Sequence, residues 1–270
     1  MKLFYRISDN SYSKLKISNK YYCFDNFISC FPDGELHIVA DNVNKNTAEM
    51  LESLCNDCLR KFEFHKTQLG NAGSLIYTIK EAAKSDDIVY LVEDDYLHDG
   101  RQNLAPIIAE GLERVDYVTL FDHPDKYESE YGYGEICKCF KTPSTHWRTT
   151  ISTCMTFATT GKTLREDLKV WERYTADNHP HDHQIFTELS NYRKLGVCIP
   201  GLAFHTDITY QIQKNNFDLI DNWVGYEVET QIAEHIGHDF IKFDGYKQML
   251  KMSALQNKKS SPIDELFVAK

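Results

Sequence analysis

From Lys2 to Val92 the sequence alternates between short runs rich in β-branched and aromatic residues and longer segments with 3.6-residue periodicity. Lys2–Ile7, Glu35–Ala40, Phe62–His65 and Ile88–Val92 are predicted strands, and Tyr21–Cys30, Thr47–Lys61 and Ala72–Ala83 predicted helices. Few folds accept such a rhythm. Repeated strand-helix-strand crossovers build a mostly parallel sheet with helices on both faces, and ligands sit in the crevice outside the carboxyl ends of its strands. The fold class is therefore α/β. A further strand, Asp116–Phe121, closes this half, after which the pattern turns α+β. Glu135–Thr142 reads as a hairpin with Ile151–Thr159, followed by helices at Lys162–Tyr174 and near His183–Arg193 and a strand at Val197–Ile199.

Charge narrows the partners. Lys and Arg number 30 against 40 Asp and Glu, a net charge of −10, which disfavours binding to a nucleic-acid backbone. No stretch of 18 apolar residues suggests a transmembrane helix, and Met1–Asp9 lacks the layout of a secretion signal, so an unprocessed protein is expected. The eight cysteines then read as reduced thiols in a cytoplasmic setting. Cys55 and Cys58 have the spacing of a zinc ligand pair, but they fall on a predicted helix and no second pair follows.

Polar clusters follow each predicted strand: Arg6-Ile7-Ser8-Asp9, Asp41-Asn42, Gln68 to Ser74, and Glu93-Asp94-Asp95. The last is the sharpest. An apolar strand delivers three consecutive carboxylates to the mouth of the sheet, where their repulsion is costly unless a cation such as Mn²⁺ or Mg²⁺ is present.

With this triplet the sequence resembles the GT-A-fold glycosyltransferases, whose acidic "DXD" motif ends a central strand; Glu93-Asp94-Asp95 is similar to a variant of it, and the resemblance runs from Lys2 to about Asp207. It implies a GT-A-like catalytic domain over residues 1–215, with a nucleotide-sugar-binding half (1–121) and an acceptor half (122–215), then a helical extension (216–270) offering a surface for homodimer formation. The donor it implies is a nucleotide diphosphate sugar, with UDP as the family default, and the acceptor a glycan or other hydroxyl compound. Asp95 would hold the metal, Glu93 the ribose or sugar, and Asp94 either place. Arg6, Ser8, Asp41 and Asn42 occupy the positions that hold base and ribose, and Gly70 and Asn71 lie in the segment lining the nucleotide pocket. A late histidine completes the metal shell in many members, a place filled by His205 in Pro200–Asp207.

Asp182, in His179-Pro180-His181-Asp182-His183, starts a predicted helix and resembles the acidic residue with which inverting members deprotonate the acceptor. Capping that helix is the alternative role. Around the acceptor, His123, Asp125, His146 and Trp147 supply ring faces and hydrogen-bonding groups suited to a sugar. Three readings compete with an inverting transferase: a retaining transferase, a sugar nucleotidyltransferase, which would want a glycine-rich loop where Ser8–Ser13 has none, and a non-catalytic carbohydrate-binding protein. A zinc hydrolase built on the three histidines lacks the required spacing.

Overall fold

The computed structural model describes residues 1–10, 19–123, 126 and 137–206. The expected C-terminal extension, its dimer surface and Asp125 lie outside the described residues. Among those residues the chain forms β1 (Lys2–Ser8), α1 (Lys20–Cys30), β2 (Glu35–Asp41), α2 (Lys45–Asp57), β3 (Phe62–Thr67), α3 (Gly70–Ala82), β4 (Ile88–Glu93), β5 (Tyr96–His98), α4 (Leu104–Leu112) and β6 (Tyr117–Thr119). It continues with β7 (Cys139–Lys141), β8 (His146–Thr150), β9 (Phe157–Thr160), α5 (Gly161–Arg173), α6 (Asp182–Leu189), β10 (Leu195–Ile199) and β11 (Ala203–His205). Among the described residues no helix is long and apolar enough to cross a membrane.

Nine strands make one sheet in the order β3-β2-β1-β4-β9-β6-β10-β8-β7. The pairs β1 with β2, β2 with β3, β1 with β4, and β6 with β10 are parallel. Both faces are covered, so β4 is apolar at every position but Glu93, and β1 buries Leu3, Phe4, Tyr5 and Ile7 on its two faces. Along β1, Tyr5 packs with Phe24 and Phe27 of α1 on one face, while Phe4 joins the Leu75, Ile79 and Trp171 layer of α3 and α5 on the other. Helix entries are fixed by side-chain caps: Asn19 accepts from the Tyr21 amide (2.9 Å), Asn44 from Thr47 (3.0 Å) and Thr160 from Thr163 (3.1 Å). Each such cap stabilises by about 1 kcal/mol. At Gly161, a Cβ would overlap the Ser85 carbonyl, so only glycine lets α5 start this close to the α3–β4 connection.

The second half departs from expectation in its pairing. The predicted hairpin of 135–142 with 151–159 does not form; β7 pairs instead with β8, and β9 inserts antiparallel between β4 and β6. The reason is burial. Phe157, Ala158 and Thr159 are wholly covered on both faces, which an interior position provides and an edge hairpin does not. Helix α4 escaped prediction because Pro106 and Gly111 interrupt it; Pro106 falls in the first turn, where its missing N–H has no intrahelical partner to lose. The three-residue β5 pairs with β11 in a separate two-stranded ribbon.

Candidate active site

The chain leaves β1 toward β2 and β3 on one side and returns to β4 on the other, so the strand order reverses at β1. That is where an open α/β sheet leaves a crevice at its carboxyl edge. Arg6 and Glu93 are register partners across β1 and β4, and their side chains meet: Arg6 Nη2 donates to Glu93 Oε1 at 2.5 Å. Its other terminal nitrogen donates to Asn71 O (3.0 Å), Asn71 Oδ1 (2.7 Å) and Ser74 Oγ (3.2 Å) at the start of α3. One guanidinium thus joins the acidic strand end to the Gly70–Ser74 turn.

Asp41 lies beside this turn and is buried. Its Oδ1 accepts from Thr67 Oγ1 (2.9 Å) and the Leu69 amide (2.6 Å), and its Oδ2 from the Gly70 amide (3.1 Å) and Asn42 Nδ2 (2.8 Å). The carboxylate is enclosed and holds the first amides of α3. Asn42 and Gly70 adopt positive φ, 52° and 73°, around it. Ser8 offers its amide to Asp94 Oδ2 at 3.3 Å. Asp9, part of the cluster after β1 but given no role from sequence, ties this corner down by accepting from Lys20 Nζ (2.6 Å) and the Asn44 amide (2.7 Å). No local pattern marks those partners.

Asp94 and Asp95 are both buried at the end of β4. His205 Nε2 lies 3.5 Å from Asp95 Oδ2. This meeting depends on the β5–β11 ribbon, where His205 is the register partner of Tyr96 and Thr206 donates to Asp95 O through its amide (2.8 Å) and hydroxyl (2.9 Å). The His205 ring rests edge-on against Tyr96, with centroids 4.8 Å apart, and near Phe121 at 6.1 Å.

Phe121 also carries the ring of His123, 5.3 Å away on its other contact. His123 in turn is close enough to Asp182 to act on it electrostatically, together with His179 and His183. Burial raises the Asp182 carboxyl above its ordinary value, opposed by the His183 amide hydrogen bond (2.7 Å to Oδ1) and by those histidines. Asp182 is the first residue of α6, and His181 occupies the cap position without a side-chain cap bond. Asp95 and His205 meet directly, and Phe121 lies against both His205 and His123.

The other two residues expected at the acceptor differ in burial. Trp147 is fully buried, stacked on Phe140 (6.2 Å, 8°), with its Nε1 donating to Thr142 Oγ1 at 3.0 Å; it is a core residue with no face for a sugar. His146 is exposed at the start of β8, opposite Ile199. Arg148 is buried and ion-paired with Asp122 at 2.6 Å.

No family model and no curated protein sequence matches this chain. Solved structures do show similarity. The galactosyltransferase LgtC in complex with donor and acceptor sugar analogs has 12% identity and a TM-score of 0.45 over 72% of this chain and 71% of its own. S. aureus TarS 1–349 has 14% identity and a TM-score of 0.49 over 98% and 74%. The 4-diphosphocytidyl-2C-methyl-D-erythritol synthase of Anaerococcus prevotii has 11% identity and a TM-score of 0.45 over 81% and 96%.

Proposed function

We propose that this chain is a metal-dependent glycosyltransferase that moves a sugar from a nucleotide diphosphate sugar, UDP-linked by family default, to a hydroxyl acceptor with inversion. The observation supporting this reading is the crevice itself. It gathers the Arg6–Glu93 pair, the buried carboxylates of Asp94 and Asp95 and the imidazole of His205, and we place the Asp182 carboxyl, raised by burial at the start of α6, on its acceptor side. Carboxylate oxygens with one imidazole nitrogen fit Mn²⁺, and less closely Mg²⁺, so Asp95 and His205 would hold the ion. A bound ion there would stabilise charge on the departing diphosphate.

The remaining work falls to side chains. Arg6 neutralises Glu93 and fixes it against the α3 turn, which keeps the carboxylates from repelling one another apart. Asp182 takes the acceptor proton. Its raised pKa suits a base, because a carboxylate at its ordinary value is a weak proton acceptor near neutral pH. The three nearby histidines help to keep it ionised.

The test is nucleoside diphosphate release from a panel of nucleotide sugars, with Mn²⁺ and with chelator. We expect release with Mn²⁺ only, and Asp95→Asn should weaken diphosphate binding in Mn²⁺ far more than in chelator. Equal binding in both conditions removes the metal role. Pyrophosphate release from a nucleoside triphosphate and a sugar phosphate would make the protein a nucleotidyltransferase, and product with the donor's anomeric configuration would make it retaining.

A further inference from the structure

A second polar constellation lies away from the crevice. His37 stands four residues before Asp41 along β2, about 13 Å toward the opposite edge of the sheet. Its neighbours on the edge strand β3 are Glu63, its register partner, and His65. The inward atoms of the three converge: His37 Nδ1 is 3.2 Å from His65 Nε2 and 2.8 Å from Glu63 Oε2, and the last two are 3.7 Å apart. These separations bracket the edge of about 3.3 Å expected when tetrahedral ligands stand about 2.0–2.1 Å from one ion.

The outward atoms are held as well. His37 Nε2 lies 3.0 Å from Glu35 Oε1, itself paired with Lys2, and His65 Nδ1 lies 3.0 Å from the Tyr77 hydroxyl of α3. A neutral imidazole has one N–H. His37 has carboxylate oxygens at both ring nitrogens, and as a neutral imidazole it can donate to only one of them. A cation at Nδ1 removes the conflict: Nε2–H donates to Glu35 while the Nδ1 lone pair binds the ion, the carboxylate-histidine-metal arrangement. The Phe4 ring, stacked on His37 at 4.5 Å and 11°, fixes the plane of that ligand. Glu63 is largely exposed, so an ion enters from solvent and keeps a position for water.

We propose that His37, Glu63 and His65 form a binding site for a divalent transition metal of the zinc class, which ties edge strand β3 to β2.

The test is titration of the full-length chain, stripped by chelator, with Zn²⁺ and with Co²⁺ as a spectroscopic probe, all in an Asp95→Asn background to remove the crevice carboxylate. One equivalent should bind, with a Co²⁺ spectrum lacking thiolate charge-transfer absorption. His65→Gln and Glu63→Gln, whose folding is checked by circular dichroism, should each weaken binding more than tenfold, and Glu35→Gln, which touches no ion, about tenfold. Absence of stoichiometric binding would overturn the proposal. So would binding unchanged in His65→Gln and Glu63→Gln, or a thiolate band.

Discussion

Asp41→Asn separates two roles for that residue. A base-binding carboxylate would lose ligand affinity on substitution and leave the fold intact. The structure instead shows its two oxygens accepting four internal hydrogen bonds. An asparagine keeps one oxygen, and its NH₂ must face donors on the other side. If that group turns toward Thr67, the hydroxyl can accept from it, but the Leu69 amide is stranded. If it turns toward Gly70, both the Gly70 amide and Asn42 lose their acceptor. Either way one or two hydrogen bonds to a charged group are lost, at about 1.5–3 kcal/mol each, so a destabilisation of roughly 2–4 kcal/mol is expected. For a protein of this size that lowers Tm by roughly 5–10 °C. Urea unfolding followed by circular dichroism measures it, with nucleotide binding measured well below the transition. A loss under about 1 kcal/mol together with a tenfold drop in nucleotide affinity would refute the structural role and return Asp41 to the ligand.

Asp182→Asn should cut turnover by roughly 10²–10⁴ with donor affinity unchanged, as expected for a base. In the wild type, the acid limb of kcat/KM should have its midpoint above the ordinary carboxylate range. Because the folded pKa is raised, ionised Asp182 opposes folding above that pKa and makes no difference below the unfolded value; Asp182→Asn should therefore melt higher than wild type near pH 8 and equally below about pH 4. Trp147→Ala should lose about 3–5 kcal/mol in urea, whereas Trp147→Phe should leave the acceptor KM unchanged; a raised KM would place Trp147 in the acceptor site after all. Gly161→Ala should lower Tm sharply through overlap with the Ser85 carbonyl, and an unchanged Tm would show that α5 shifts freely.

What could be read from sequence follows from the range of the interactions involved. The first four strands and three helices were legible because each is an uninterrupted periodic run flanked by its own cap or turn residues, such as Asn44 before α2. The position of Glu93-Asp94-Asp95 followed from parallel topology, since every carboxyl end faces the same edge. The partners of β9 were not legible: its apolar pattern reports burial on both faces but not which strands provide it. Asp41 shows a related limit. A carboxylate after a strand looks the same in sequence whether it meets a ligand or the amides of its own next helix, and only the backbone of Leu69 and Gly70 decides. The burial of Trp147 was not legible, because an aromatic among polar neighbours in Thr145–Arg148 reads as a rim residue, whereas β8 lies inside the sheet between β10 and β7.

The β5–β11 ribbon has a consequence for the order in which the site is made. Thr206 bonds to Asp95 across 111 positions of sequence. At a synthesis rate of 5–20 residues per second, the acidic triplet emerges about 5–20 s before the residues that align its histidine. During that interval the residues of β1 to β4, of the Arg6–Glu93 pair and of the α3 turn have all emerged, while Asp95 still lacks its imidazole. Loop closure on this scale adds little to equilibrium cost, since it grows only with the logarithm of length, but it sets a sequence of events. The Arg6–Glu93 corner draws only on the first 93 residues, and the Asp95–His205 contact is completed only when the last described strand docks.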